Sequence, residues 1–339
     1  IDEYYIDPLI EFGYQGKVYK GKVISHAKVE APAIAKTRLK TVTKLYVNLA
    51  DPDLAEKVAA RDVDGVGLLR AEFMIANIGQ HPRYMIEQKQ GGQFVDRLAQ
   101  GLNTFAKAFN PRPVVYRTTD FKTNEYANLV GGSLFEPVEN NPMIGWRGAS
   151  RYYDERFKPA FGMECAAIKR VRNEMGLTNV KVMVPFCRTP QEGKKVIQVM
   201  REFGLVQGEN GLEVYMMCEV PSNVNLADEF ADVFDGFSIG SNDLTQLMLG
   251  IDRDSETLSK IADERHEAVK RVVQRIINFA HSHKPRRKVG ICGQAPSDFP
   301  EFAEFLVANG IDSMSLNSDV VLKTRIRIAD IELLALTDS

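Results

Sequence analysis

From about residue 42 onward, a short apolar run followed by a longer helical stretch recurs eight times. The runs are Leu45–Leu49, Gly65–Leu69, Pro113–Tyr116, Lys181–Val184, Glu213–Met217, Gly236–Ile239, Lys288–Ile291 and Ser313–Leu316. Each is too short for a buried helix and reads as a strand covered on both faces. Between them, apolar residues recur at spacings of three and four. Phe161, Cys165, Ile168, Val171 and Met175 form one such stripe, and Ala303, Leu306 and Val307 another. Gly176 and Gly204 punctuate the joins. Strands alternating with helices call for a parallel sheet, and eight such units predict a closed α/β architecture, the (β/α)8 TIM barrel.

Residues 1–40 follow a different pattern. Gly16–Val23 alternates like a two-faced strand, and Ala31-Pro32-Ala33 reads as a linker. The expected division is a short remnant of an upstream domain with its linker over 1–40, then the barrel over 41–339. The chain opens on Ile1 without the basic region of a secretion signal, which reads as a processed piece of a longer protein.

A barrel of this kind builds its site at the C-terminal ends of its strands. Just beyond those ends stand Asn48, Arg70, Arg117, Pro185 to Arg188, Glu219, Asn242 with Asp243, Cys292 and Asn317. Polar and reactive groups thus gather at one rim. The stretch Phe237–Gln246 is the most informative of these. It reads as a strand, a tight turn at Gly240-Ser241, and a helix whose first turn holds Asn242 and Asp243. Free backbone N–H groups and a positive helix end favour an anion there, and the carboxylate favours a cation.

Glu219 ends the run Val214–Cys218. With Asp243 from the next strand it offers two oxygen ligands to Mg2+, which takes one or two carboxylates and completes its octahedron with substrate and water. The bland alternatives are a helix-dipole role for Asp243 and a salt bridge from Glu219 to a rim arginine. Arg70 and Arg117 each terminate an apolar run, and Arg147 follows the chain's single tryptophan, Trp146. Guanidinium is the group for two-pronged contact with phosphate or carboxylate, although any one arginine is more often structural. Three at one rim would repel one another unless an anion lay between them. Cys292 sits between Ile291 and Gly293, where it reads as an exposed thiol able to move a proton; buried filler is the other reading. Cys187 is a weaker candidate, while Cys165 and Cys218 belong in the core. Arg188 adds charge near the mouth, and Arg253 reads as structural, paired with Asp252 or Asp254.

Composition removes several classes. A net charge of −2 gives no field for nucleic acid or an anionic membrane. The basic run His283–Lys288 reads as a solvated loop. No apolar run approaches the roughly 20 residues of a membrane span. The four cysteines lack metal or redox spacing, which fits a reducing cytoplasm.

The motifs carry a resemblance over nearly everything from residue 42. They are GVGLLRAEFMI (65–75), YRTTDFKTNEYANLVGG (116–132), ENNPMIGWRGASRYY (139–153), VMVPFCRTPQE (182–192), MMCEVPSN (216–223), FSIGSNDLTQLMLGIDRDS (237–255) and GICGQAPSD (290–298). With these the chain resembles the C-terminal barrel of the phosphoenolpyruvate-utilising enzymes. The resemblance implies Mg2+ on Glu219 and Asp243 and the transferring phosphoryl group on Arg70 and Arg117. It implies pyruvate or phosphoenolpyruvate against Arg147, Asn242 and the Gly240-Ser241 turn, with Asp243 beside it. Cys292 would exchange the proton at the substrate's methylene carbon. It further implies phosphohistidine and nucleotide-binding domains elsewhere in the full-length protein, ATP use there, and a homodimer. His26 and His81 lie outside a phosphohistidine context. Competing readings are a Mg2+-dependent pyruvate-enolate lyase and a non-catalytic dimerisation module.

Overall fold

Eight parallel strands close into a barrel in chain order, with the last hydrogen-bonded to the first. They are β1 (Lys44–Leu49), β2 (Gly65–Arg70), β3 (Val114–Arg117), β4 (Val180–Val184), β5 (Val214–Cys218), β6 (Gly236–Ile239), β7 (Lys288–Ile291) and β8 (Ser313–Leu316). The structure, a computed structural model, describes residues 4–6, 18–20 and 39–337. The eight predicted runs are the eight strands, displaced by a residue at some ends. Val18–Lys20 lies within the predicted alternating segment and pairs antiparallel with Tyr4–Ile6. The predicted linker at Ala31–Ala33, and His26, lie outside the described residues.

Helices coat the barrel because each presents one apolar stripe. Glu267–Ser282 buries Val269, Val273, Ile276, Ile277 and Ala280, at helical spacing. Pro190–Glu202 starts where Thr189 accepts a hydrogen bond from the Glu192 N–H, with Pro190 in the first turn. The stripe Phe161, Cys165, Ile168 and Val171 is buried as expected, but Met175 is exposed. A π-helical turn over Arg170–Glu174 rotates the chain before Met175 and carries it off the apolar face. Ala303 and Leu306 are buried, with Val307 packed at the edge.

A large core fills the space between strands and helices and includes Cys165 and Cys218. A smaller one lies inside the barrel: Leu68, Val115, Met183, Met217 and Cys292. The basic run 283–288 lies at the surface but is paired, with His283 on Asp232, Arg286 on Asp312 and Lys288 on Glu213.

Register places the site. Arg70 pairs across to Arg117, Arg117 to Met183, and Cys218 to Ile239. A shift between Val47 and Asn48 in the β1–β2 ladder bends the chain at the rim beside Asn48.

Candidate active site

The C-terminal mouth holds a cavity of about 420 Å³ lined by residues from every quarter of the rim. Arg70, Arg117, Arg147, Glu219, Gly240, Asn242, Asp243 and Cys292 all line it.

Three carboxylates form its floor. Asp120, Glu219 and Asp243 each offer an oxygen, and these atoms lie within 4.8 Å of one another. Glu219 is fixed by the chain around it: the Phe186 N–H donates to Oε1 at 2.7 Å, while Asn223 accepts from the Glu219 and Val220 N–H groups. Phe186 stands at φ +46°, an unusual conformation for a bulky residue, and this turn aims its N–H at Glu219. Burial, then the charges of Asp243 and Asp120, drives the Glu219 carboxyl well above the usual carboxylate range. Burial acts the same way on Asp120, but Arg147 and Arg117 outweigh it and hold that carboxyl low.

Arginines bind this floor together. Arg147 donates through Nε to Asp120 Oδ1 at 3.0 Å and through Nη2 to Asp120 Oδ2 at 2.6 Å and Asp243 Oδ2 at 3.0 Å. Its guanidinium lies 4.2 Å from the centre of the Phe186 ring. Arg117 pairs with Glu72 at 3.1 Å and with Asp120 at 3.5 Å. Arg253 stands 2.9 Å from Asp243 Oδ1, without hydrogen-bond alignment, so that buried oxygen keeps uncommitted lone pairs. Burial, then neighbouring Arg117, lowers the Arg70 pKa. Among the described residues Arg70 forms no ion pair, which leaves its guanidinium free for an anion at the mouth.

Cys292 enters beside this cluster from the end of β7. Its N–H bonds the Ile239 carbonyl at 3.0 Å, and its thiol faces the same oxygen at 3.6 Å. Burial pushes the thiol up to about 11, against the opposing influence of Ser238 and of the Arg117 and Arg70 charges. Gly293 permits the next close approach, since a Cβ there would fall 1.7 Å from Ser241 Oγ. Asn48 donates to the Cys292 carbonyl at 3.4 Å.

Several expectations change. Cys292 is 5% exposed rather than an open thiol, because the barrel interior closes around it. Cys187 is buried, its thiol turned to the Thr189 carbonyl, and it does not line the cavity. Ser241 is fully buried with its hydroxyl on Glu264, and it does not line the cavity. Arg253 pairs with Asp243 of the site rather than with Asp252 or Asp254. Arg188 braces the neighbouring loop through the Ile144 and Gly145 carbonyls. Asn317 bonds Gln294 at the rim. The three-arginine repulsion is answered by side chains of this chain itself, for five basic and five acidic residues line the cavity. Sequence reasoning missed Asp120 and Glu72. Asp120 stands three residues past Arg117 on a loop, and Glu72 two past Arg70 in the first turn of the helix Ala71–Ile78; an acid within three residues of a strand-end arginine is the signal for both.

Fold and mouth together define a (β/α)8 barrel with an acid-and-arginine site at its C-terminal face. The chain belongs to the family described as PEP-utilising enzyme, PEP-binding domain, whose model matches residues 25–333. A phosphoenolpyruvate synthase of Synechocystis sp. is 54% identical over 94% of this chain and 41% of its own length. The phosphoenolpyruvate synthase of Aquifex aeolicus is 49% identical over 94% of this chain and 44% of its own. A probable phosphoenolpyruvate synthase of Staphylothermus marinus is 54% identical over 86% of this chain and 35% of its own. The chain thus spans about two fifths of the length of these relatives, between 35% and 44%.

Proposed function

We propose that this chain is the pyruvate- and phosphoenolpyruvate-binding barrel of a phosphoenolpyruvate synthase, and that it carries phosphoryl transfer from a phosphohistidine to pyruvate. The observation that carries this reading is the meeting of Asp120, Glu219 and Asp243 within 4.8 Å beside Arg70, Arg117 and Cys292. The names of the relatives support it, and the segments DFKTNEYANLVGG, CEVPSN and ICGQAPSD resemble the synthases most within the family.

The residues fit a divalent cation. Buried like charges, a Glu219 carboxyl pushed high, and an Asp243 oxygen with uncommitted lone pairs are what such an ion relieves. Glu219 and Asp243, with Asp120 beside them, would hold Mg2+, whose charge would stabilise oxyanions of the substrate. Arg70 and Arg117 would hold the phosphoryl oxygens, Arg70 being the one free of a carboxylate. Arg147 and Asn242 would orient the pyruvate carboxylate over Gly240, where lack of a side chain leaves room. Cys292 would then hold or give the proton at the methylene carbon.

In this reading the nucleotide and phosphohistidine domains are supplied by the longer protein, so this chain forms no AMP from ATP and pyruvate. The reading also takes the full protein as a cytoplasmic homodimer. Among the described residues no helix is long and apolar enough to cross a membrane. Calorimetry with oxalate, an enolpyruvate mimic, tests the site: Mg2+-dependent binding should be present and lost in Glu219→Gln. Equal binding by both proteins would refute it.

A further inference from the structure

Glu264 is a buried carboxyl that does not line the mouth. It stands on the connection 251–266, between the helices Ser241–Leu249 and Glu267–Ser282. Both ends of this connection return to the site. At its start Arg253 reaches Asp243 Oδ1 at 2.9 Å, and its N–H donates to Gln246 Oε1 at 3.2 Å. At its end Glu264 Oε2 accepts from the Ser241 hydroxyl, and Oε1 accepts from the Ala295 N–H at 3.2 Å. Ser241 opens the helix that presents Asn242 and Asp243. Ala295 opens the helix that follows Cys292. Ile239 pairs with Ile291 and accepts the Cys292 N–H at 3.0 Å, after which the two chains enter these different helices. There a side chain takes over from the strand ladder. Gly293 completes the fit, for an added Cβ would fall 1.7 Å from Ser241 Oγ and 2.6 Å from Glu264 Oε2. The chain just past the thiol thus rests on the Ser241–Glu264 pair.

We propose that Glu264 is a positioning residue: its carboxylate locks the chain beyond Cys292 to the start of the Asn242–Asp243 helix, and so fixes where the thiol stands against the acid cluster. Its catalytic consequence rests on the reading of Cys292 as the group that exchanges a proton with the substrate carbon. Bridging two donors from different elements takes two acceptor oxygens on one group, which a carboxylate supplies, and burial strengthens both bonds. The acid cluster has other supports. Arg147 and Arg253 hold Asp243, and the Phe186 N–H holds Glu219. The thiol side has fewer, since Asn48 meets the Cys292 carbonyl only at 3.4 Å. Loss of the bridge therefore moves the thiol and leaves the cation site in place. Proton transfer to carbon depends steeply on placement, and an error of about 1 Å costs up to about 100-fold in rate.

The test is exchange of pyruvate methyl hydrogens in D2O with Mg2+, followed by proton NMR, beside calorimetry of Mg2+-dependent oxalate binding. Glu264→Ala should slow exchange at least about tenfold while oxalate affinity stays within about twofold of wild type. Glu264→Gln should restore most of the rate, because its carbonyl accepts the Ala295 N–H while its amide donates to the Ser241 oxygen. Ser241→Ala removes one arm of the bridge and should slow exchange in the same way, which decides the matter should Glu264→Ala not fold. Wild-type exchange in either alanine variant would overturn the proposal. So would an equal loss of oxalate affinity, which would mark general damage to the mouth, or a Glu264→Gln rate no better than that of Glu264→Ala. A second measurement needs no pyruvate: iodoacetamide labelling of Cys292 at fixed pH, read by peptide mass. Glu264→Ala should label at least about fivefold faster than wild type, as the loosened chain opens the buried thiol, and Glu264→Gln should not. Equal labelling in all three would overturn the bridge. No exchange from the wild type, together with faster labelling in Glu264→Ala, would overturn the reading of Cys292 and leave the bridge standing.

Discussion

Arg147 grips Asp120 with both prongs, Nε to Oδ1 at 3.0 Å and Nη2 to Oδ2 at 2.6 Å, while the same Nη2 reaches Asp243. One guanidinium therefore ties the loop after β3 to the helix after β6. Lysine cannot reproduce a planar fork or the stacking on Phe186. Arg147→Lys should fold, lose ~1–3 kcal/mol of stability in urea, and weaken Mg2+-dependent oxalate binding at least about tenfold. Undiminished affinity in calorimetry would show that the two acids keep their places without the fork.

Gly240 separates backbone geometry from room. Its φ of −87° suits any residue, so alanine there carries no backbone strain. Yet an added Cβ would meet Glu219 Oε2 at 2.7 Å and Met217 Cγ at 3.1 Å. Gly240→Ala should cost ~1–3 kcal/mol by overpacking. It should also displace Glu219 and lower Mg2+-dependent oxalate affinity. A variant that binds Mg2+ and oxalate like the wild type would mean Glu219 yields without consequence.

Arg151 supports the segment that carries Arg147. It is fully buried, forks onto Glu136, and donates to the Trp146 carbonyl at 2.8 Å. The rings of Trp146 and Tyr126 lie 4.1 Å and 4.6 Å from it. Arg151→Met strands Glu136 beside His81 and should cost ~3–5 kcal/mol in urea unfolding. Adding Glu136→Leu should restore part of that loss, since the uncompensated buried charge goes with it. A double variant no more stable than Arg151→Met would locate the cost in lost ring packing instead.

The strands were legible because buried parallel strands are written as short apolar runs that recur between longer helical stretches. Glu219, Arg70, Arg117 and Cys292 were legible for the same reason, as polar groups set directly on strand ends. Asp120 lies on the loop beyond Arg117 and Glu72 in the first turn of the helix beyond Arg70, where the path of the chain past the strand rather than strand register decides what meets. Arg253 shows this most plainly. The helix Ser241–Leu249 ends on Gly250 at φ +64°, which reverses the chain and brings Arg253 back to Asp243. Sequence separation alone pointed to Asp252 and Asp254. Met175 failed for a local reason, because a π turn breaks the helical period on which its burial was argued.

Glu164 makes the stability of the barrel pH-dependent from outside the mouth. It sits behind β3, where Oε1 accepts from the Tyr116 hydroxyl at 2.8 Å and the Thr119 N–H at 2.9 Å. Burial raises its carboxyl from 4.5 to about 8, against these two hydrogen bonds. The folded state therefore keeps a proton that the unfolded chain has already released. With more protons bound when folded, stability is full below about 4.5 and declines as pH rises toward about 8. The slope approaches ~1.4 kcal/mol per pH unit within that window. Glutamine keeps the carbonyl oxygen that both donors need and has no proton to lose. Glu164→Gln should therefore flatten the fall in melting temperature between about pH 5 and pH 8, and gain most over the wild type at the alkaline end. Melting curves that fall in parallel for the two proteins across this range would place the proton elsewhere.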